Sequence, residues 1–212
     1  MTFKNLLAGA ALAVASITAG AAAASTVLYD NGPADEVNAY TINFGYSVTN
    51  LFTLGSGASV TGVSFNAWNF AGDTTSAVDW TILNGAPGTG LAVASGTGSI
   101  VPTSLGTNSF GYNEFTDTFS IPALSLGAGT YSLELTNAVV ASGDPAYWGE
   151  SGGSSTAVQN GNGLENLSIP SESFQILGAS AVPEPATWAI MLTGLGLVGA
   201  AQRRRTSKTA LA

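Results

Sequence analysis

The chain has 212 residues and a formal net charge of −8, and it contains no cysteine and no histidine. These absences exclude disulfides, zinc sites of the usual Cys/His kind and nucleophiles activated by histidine. The long stretch from residue 25 to residue 182 has no lysine or arginine but holds all except one of the thirteen acidic residues. Nucleic-acid binding is therefore not expected, because it depends on Lys and Arg displacing counterions from phosphates. The five basic residues lie near the two ends: Lys4, Arg203, Arg204, Arg205 and Lys208.

The first 24 residues are typical of a secretory signal peptide. Lys4 precedes an apolar run that starts at Leu6, and small residues continue to Ala24. This layout predicts export by the Sec machinery, with cleavage near residue 25. A first core helix is the alternative, but the abrupt change to the strand-like "STVLYD" disfavours it.

Residues 25–178 are predicted to form one all-β domain. The segments "VSFNA", "AVDWTIL" and "GTYSLELTN" alternate between apolar and polar residues, which is typical of half-buried antiparallel strands. Further strands are predicted at 25–29, 48–54, 91–101, 110–121 and 174–178. Turn residues recur between them at intervals of roughly ten to fifteen residues, which favours a sandwich over βαβ units. The fold expected is an antiparallel, jelly-roll-like β-sandwich.

Three tryptophans of this domain are candidates for stacking on sugar rings. Trp80 lies on the apolar side of an alternating segment and is expected in the core, and Trp68 at the end of a strand also fits a core position better than a site. The third lies in the turn-rich "SGDPAYWGESGG", and loops at one end of a sandwich often carry binding. The commoner alternative is that the Tyr-Trp pair tucks a long loop against the core. The candidate glycan-binding residues are Asp144, Tyr147, Trp148 and Glu150.

The acidic residues raise the question of a bound metal ion. Exported sandwiches often hold a structural Ca²⁺ through carboxylates and carbonyls, and two acidic groups stand out here. However, no D-x-D-x-D-G loop is present, and solubility through net charge explains the acids equally well. We expect no cofactor, keep a structural Ca²⁺ as the alternative, and assign no ligands. The two groups are Asp30, Asp35 and Glu36 in "DNGPADE", and Glu114 and Asp117 in "NEFTD".

Glycoside hydrolysis is the remaining chemistry that the composition permits. It needs two carboxylates separated by roughly 5–9 Å. The pairs Asp144 with Glu150 and Glu114 with Asp117 are the nominees, but their spacing singles out neither. We therefore predict that the protein is not an enzyme, with a carboxylate-dependent hydrolase as the least favoured alternative.

The C-terminal region is predicted to be an address rather than part of the domain. After a linker at 179–182, a Pro-Glu-Pro triplet leads into an apolar stretch at about 186–201, which is shorter than the roughly 20 residues that span a bilayer comfortably. The arginines at 203–205 would stop transfer and leave 206–212 as a cytoplasmic tail. A short transmembrane helix with the acidic body outside is expected.

This arrangement closely resembles the PEP-CTERM sorting signal of exported proteins from exopolysaccharide-producing Gram-negative bacteria. One departure is Ile190, where a methionine is common. The resemblance implies recognition by exosortase, a membrane-embedded cysteine transpeptidase that cuts near the triplet, so the motif residues are substrate rather than catalytic groups. It covers 183–205 and rests on Pro183, Glu184, Pro185, Trp188, Arg203, Arg204 and Arg205.

The function expected is that of a non-enzymatic cell-surface or extracellular-matrix protein. It would pass transiently through the inner membrane, held there by the C-terminal helix until exosortase processes it. The alternative is a glycan-binding module that acts in exopolysaccharide or biofilm and has extracellular polysaccharide as its partner.

Overall fold

A computed structural model of the protein describes residues 25–180 and 190–196. The predicted signal peptide at 1–24 and the motif residues at 183–185, 188 and 203–205 lie outside the described residues. In the described part, thirteen strands form two antiparallel sheets, which confirms the all-β sandwich. The strands are β1 Thr26–Asp30, β2 Ala34–Thr41, β3 Ser47–Leu54, β4 Ala58–Asn69, β5 Thr75–Asn84, β6 Leu91–Ser99, β7 Val101–Thr107, β8 Asn113–Leu126, β9 Gly129–Val140, β10 Ala146–Ser151, β11 Ala157–Gly161, β12 Leu164–Ile169 and β13 Phe174–Ser180.

The seven-stranded sheet, called here the front sheet, is organised around β4. Strands β8 and then β7 lie on one side of β4. On its other side, β13 pairs with the first part of β4 and continues to β1, whereas β10 pairs with the last part and continues to β2. The six-stranded back sheet has the order β12-β11-β3-β9-β5-β6. Residues of both sheets contribute to a single hydrophobic core.

The alternating segments behave as the sequence predicts. Val78, Trp80 and Ile82 of β5 are buried, while Asp79 and Thr81 between them are half-buried. Strand β4 departs from this pattern because Asn66 and the other polar residues of its second half are buried as well. Both faces of the second half of β4 are therefore covered, and its outer face carries polar side chains.

Five strands were not predicted from the sequence: β2, β7, β10, β11 and β12. Each has a polar or glycine-containing sequence without clean alternation. Strands β2 and β10 also depend on partners far along the chain, since β10 lies between β4 and β2. Strand β13 continues to Ser180, past the predicted domain boundary at 178. Residues 190–196 are helical and lie within the predicted 186–201 segment. Among the described residues, no helix has both the length and the apolar character needed to cross a membrane.

Candidate functional site

The outer face of the front sheet carries a row of polar and aromatic side chains. On β4, Ser64, Asn66 and Trp68 alternate with the core residues Phe65 and Ala67 and therefore point away from the core. Directly paired residues of an antiparallel sheet share a face. The residues of β8 opposite Ser64, Asn66 and Trp68 are Thr118, Thr116 and Glu114, respectively, and Tyr147 of β10 lies opposite Trp68 on the other side.

Two adjoining cavities open on this face, and we call them together the front groove. The polar part has a volume of about 570 Å³ and the aromatic part about 290 Å³. Strand β2 forms a wall of both, with Glu36 at the polar part and the next residue, Val37, at the aromatic part. The polar lining includes Asp30, Glu36, Ser64, Asn66, Glu114 and Thr116, and the aromatic lining includes Asn38, Trp68, Phe110, Tyr112 and Tyr147.

Five rings form a connected cluster in and beside the aromatic part. Trp68 stacks on Phe110, with ring centroids 6.0 Å apart and an angle of 28° between the planes, and lies 5.9 Å from Tyr112. Tyr112 in turn contacts Tyr147 at 5.5 Å and Phe70 at 5.1 Å. Trp68 is thus covered by its neighbours, whereas Phe110 is 60% exposed. The ring surface that a ligand meets is that of Phe110.

The floor of the groove contains polar atoms that lack partners. Asn66 Oδ1 and Trp68 Nε1 are buried and make no hydrogen bond. Both lie against the backbone of Gly149, where a Cβ would lie 3.0 Å from the indole nitrogen and collide with the amide oxygen. A buried polar atom left unpaired costs about 1–3 kcal/mol. Because both atoms are buried against Gly149, a ligand in the groove could pair with them only if the side chains of Asn66 and Trp68 turned toward it.

Glu114 is the buried carboxylate of the groove. It accepts a hydrogen bond from Asn108 Nδ2 at 3.1 Å. Burial raises the pKa of Glu114 above its ordinary value, and the nearby charge of Glu36 raises it further, while hydrogen bonds from Asn108 and Asn66 oppose the shift. Glu36 itself has a positive φ of 59°, a backbone conformation that non-glycine residues rarely adopt and that is often found at functional sites.

Trp148 does not lie where its ring could stack on a sugar, so this part of the predicted glycan site is wrong. It is 0% exposed and lies in the core, where it packs edge-on against Phe65 and Phe174. Its Nε1 donates to the backbone carbonyl of Ser173 at 2.9 Å, so its polar atom is satisfied as well. The predicted loop is strand β10, and alternation along it turns Trp148 inward when Tyr147 faces outward.

The other three predicted glycan-binding residues do not form one site. Tyr147 lies in the front groove, and burial raises its pKa to about 12, with contributions from Tyr112 and Asp144. Asp144 is exposed in the turn before β10. Glu150 lies at the opposite end of β10, next to Glu172 on the neighbouring segment. What unites the groove instead is Trp68, Phe110 and Tyr112, which sequence analysis did not assign to a site.

Neither nominated carboxylate pair is brought together for hydrolysis. Glu114 and Asp117 are three residues apart on β8, so they point to opposite faces: Glu114 pairs with Trp68 on the outer face and Asp117 with Phe65 on the core side. Asp144 lies in the turn before β10, whereas Glu150 lies four residues past the start of that strand, about 13 Å along it at the usual rise per residue. This geometry does not support a hydrolytic mechanism that uses either pair.

The calcium expectation stays a prediction. Asp30 and Glu36 of the first acidic group line the groove, whereas Asp35 interacts electrostatically with Glu150 and Glu172. Within residues 25–180, no three carboxylates already converge on one point as a preformed metal site.

Comparison with known families identifies the C-terminal segment. Residues 181–205 match the model of the PEP-CTERM protein-sorting motif. The chain carries a PEP-CTERM sorting signal. The match spans all seven residues on which the resemblance rests, and it implies an exported protein that exosortase processes and that is sorted to the cell surface. No curated protein matches the chain.

The sorting signal leaves the sandwich domain intact. The last strand, β13, ends at Ser180, and the matched motif begins at the next residue. Removal of the motif near its Pro-Glu-Pro triplet would therefore take away no strand of the domain. The front groove belongs to the part of the protein that the sorting signal delivers, and the signal itself assigns no activity to it.

Proposed function

We propose that this protein is a non-enzymatic cell-surface or matrix protein whose front groove binds neutral sugar units of an extracellular polysaccharide. The observation that carries the proposal is the exposed ring of Phe110 in a groove that is also lined by hydroxyl, amide and carboxyl groups. A sugar offers an apolar C–H face for the ring and hydroxyl groups that donate and accept hydrogen bonds. These are the two kinds of contact that the groove offers.

The charge of the groove favours a neutral ligand. Asp30, Glu36 and Glu114 line its polar part, and the chain from residue 25 to residue 182 has no basic residue to balance them. An acidic polymer such as a uronic-acid chain would be repelled. A neutral hexose polymer would instead donate hydroxyl hydrogens to these carboxylates.

The test is binding of the purified exported protein to neutral polysaccharide fractions, measured by calorimetry or affinity electrophoresis. Phe110→Ala should weaken binding roughly tenfold, which corresponds to about 1.4 kcal/mol and lies within the range for loss of an aromatic contact. Phe44→Ala is the matched control, because Phe44 is 57% exposed and does not line the groove. Equal affinities of both variants and the native protein would refute the groove as the binding site.

One observation favours a second function, hydrolysis of the bound sugar. Glu114 and Glu36 line the same cavity, and the pKa of the buried Glu114 is raised while Glu36 is exposed. Two carboxyl groups in one cleft, of which the general acid has a raised pKa, are what glycoside hydrolases use. Turnover of a polysaccharide that is lost in Glu114→Gln while binding is retained would establish this function. Binding without turnover in the native protein would leave the non-enzymatic proposal standing.

A further inference from the structure

Two carboxylates face each other at the end of β10. Glu150 and Glu172 form an antiparallel bridge, flanked by hydrogen bonds from Ser151 N to Ser171 O at 2.7 Å and from Ser173 N to Gly149 O at 2.8 Å. This bonding pattern makes Glu150 and Glu172 a non-hydrogen-bonded pair, whose side chains leave the sheet on the same side with Cβ atoms about 4.5–5.5 Å apart. Like charges so placed repel each other.

Glu172 is the fixed member of the pair. It is 0% exposed, and neither of its carboxylate oxygens has a hydrogen-bond partner. Its backbone is held by both neighbours, since its N–H donates to Asn50 Oδ1 at 2.7 Å and its carbonyl accepts from Asn31 Nδ2. Burial raises the pKa of Glu172 well above its ordinary value, and the charges of Glu150 and Asp35 act in the same direction.

No side chain of the domain can neutralise this group. Between residues 25 and 182 the sequence has no lysine, arginine or histidine. A buried carboxylate without a partner is costly, and buried charges are normally paired with a cation or bound to a metal. The domain supplies no basic side chain here, so Glu172 either stays protonated or is ionised and paired with a cation from outside the domain.

We propose that Glu172, Glu150 and Asp35 bind one divalent cation, and that this cation is Ca²⁺. The available ligands are all oxygen atoms, which Ca²⁺ accepts in numbers of six to eight and in flexible geometry, whereas Mg²⁺ demands a near-ideal octahedron. Only Glu172 is fixed in place. Glu150 is half-buried and Asp35 is exposed, so both are free to turn toward the ion.

The remaining coordination comes from groups beside these carboxylates and from water. The phenol of Tyr40 lies close enough to Glu150 and Glu172 for their charges to raise its pKa, in addition to the effect of burial. Asp35 Oδ1 already accepts a hydrogen bond from Val37 N at 3.0 Å, which leaves its second oxygen for the ion. A site in which one carboxylate is preset and two close on the ion suits a cation that binds after export.

A cation here would stabilise one wall of the front groove. Asp35 belongs to β2, which pairs with β10 alone and supplies Glu36, Val37 and Asn38 to the groove. Tying Asp35 to Glu172 fixes this edge strand against the rest of the domain. The expectation that Ca²⁺ strengthens saccharide binding rests on the proposed function, whereas the expectation that Ca²⁺ binds does not.

The experiment is a titration of the metal-free exported protein with CaCl₂, followed by calorimetry and by thermal unfolding. At a Ca²⁺ concentration about 100-fold above Kd, the Tm of the native protein should rise by roughly 5–10 °C, and the same concentration of Mg²⁺ should raise it much less. Glu172→Gln and Glu150→Gln should lose this rise. Glu165→Gln is the matched control, because Glu165 is exposed on β12, away from the bridge.

The order of the melting temperatures distinguishes Ca²⁺ binding from the alternative that Glu172 is a buried, protonated acid that binds no ion. In EDTA, Glu172→Gln should melt above the native protein, because it replaces an unpartnered acid, and in saturating Ca²⁺ the order should reverse. A native protein whose Tm does not respond to Ca²⁺, or a Glu172→Gln variant that keeps the full response, would overturn the proposal. A Ca²⁺ response that accompanies absent saccharide binding would support the metal site and count against the proposed function alone.

Discussion

Replacement of Asp117 by asparagine should make the protein more stable at neutral and alkaline pH. Asp117 lies on the core side of β8, opposite Phe65, and is 0% exposed. The hydroxyl of Thr75 lies beside it, but its proton is donated to Asn69 Oδ1 at 3.1 Å, so neither oxygen of Asp117 has a hydrogen-bond partner. Burial raises the pKa of Asp117 from 3.8 to about 7, which the influence of Thr75 opposes only in part.

The sign and size of the effect follow from the two pKa values. Below about pH 4, Asp117 is protonated in both the folded and the unfolded state and costs nothing through ionisation. As the pH rises toward 7, the unfolded chain releases this proton and the folded protein retains it, so the free energy of unfolding falls. A difference of about 3 pKa units corresponds to about 4 kcal/mol lost between pH 4 and pH 7. Above pH 7 the loss is complete.

The assay is urea unfolding of the native protein and of Asp117→Asn at one-unit steps from pH 4 to pH 8, in EDTA. The variant cannot ionise, so its free energy of unfolding relative to the native protein should increase by about 4 kcal/mol across this range. Using the difference cancels the contributions of Glu172 and Glu114, whose pKa values are also raised. Glu165→Gln, an exposed carboxylate, serves as the control and should leave the profile unchanged. A difference that is constant with pH would refute the assignment of a raised pKa to Asp117.

Three further predictions concern the core, the groove floor and the sorting signal. Trp148→Ala should lower the free energy of unfolding by about 3–5 kcal/mol in a denaturant titration, because it removes a fully buried ring. The fraction of this variant that folds should bind saccharide as the native protein does. Gly149→Ala should lower saccharide affinity in calorimetry, since its methyl group meets the two unpaired atoms of the groove floor; Gly152→Ala, which has open space, should not. The intact mass of protein from its own cells should start near residue 25 and end within 181–205, whereas cells without exosortase should retain the whole motif. Retention of the motif in both strains would contradict processing.

The sequence by itself determined the address and the fold class. The sorting signal was predictable because it is linear: a triplet, a tryptophan, an apolar run and arginines in a set order within 181–205. The sandwich was predictable because alternation with period two is a local property, as in Val78, Trp80 and Ile82 of β5. Both predictions required only that neighbours along the chain be compared.

The tertiary structure alone decided which residues meet. The sequence around Trp148 and Trp68 does not say which of them faces the core. The pairing of β10 with β4 and β2 places Trp148 in the core and Trp68 beneath Phe110 on the outer face. Glu150 and Glu172 become neighbours only through a bridge between distant segments. A one-residue change of register would reverse which side chains are buried, and register depends on long-range pairing that no local pattern specifies. The site residues could therefore not be assigned until the sheets were assembled.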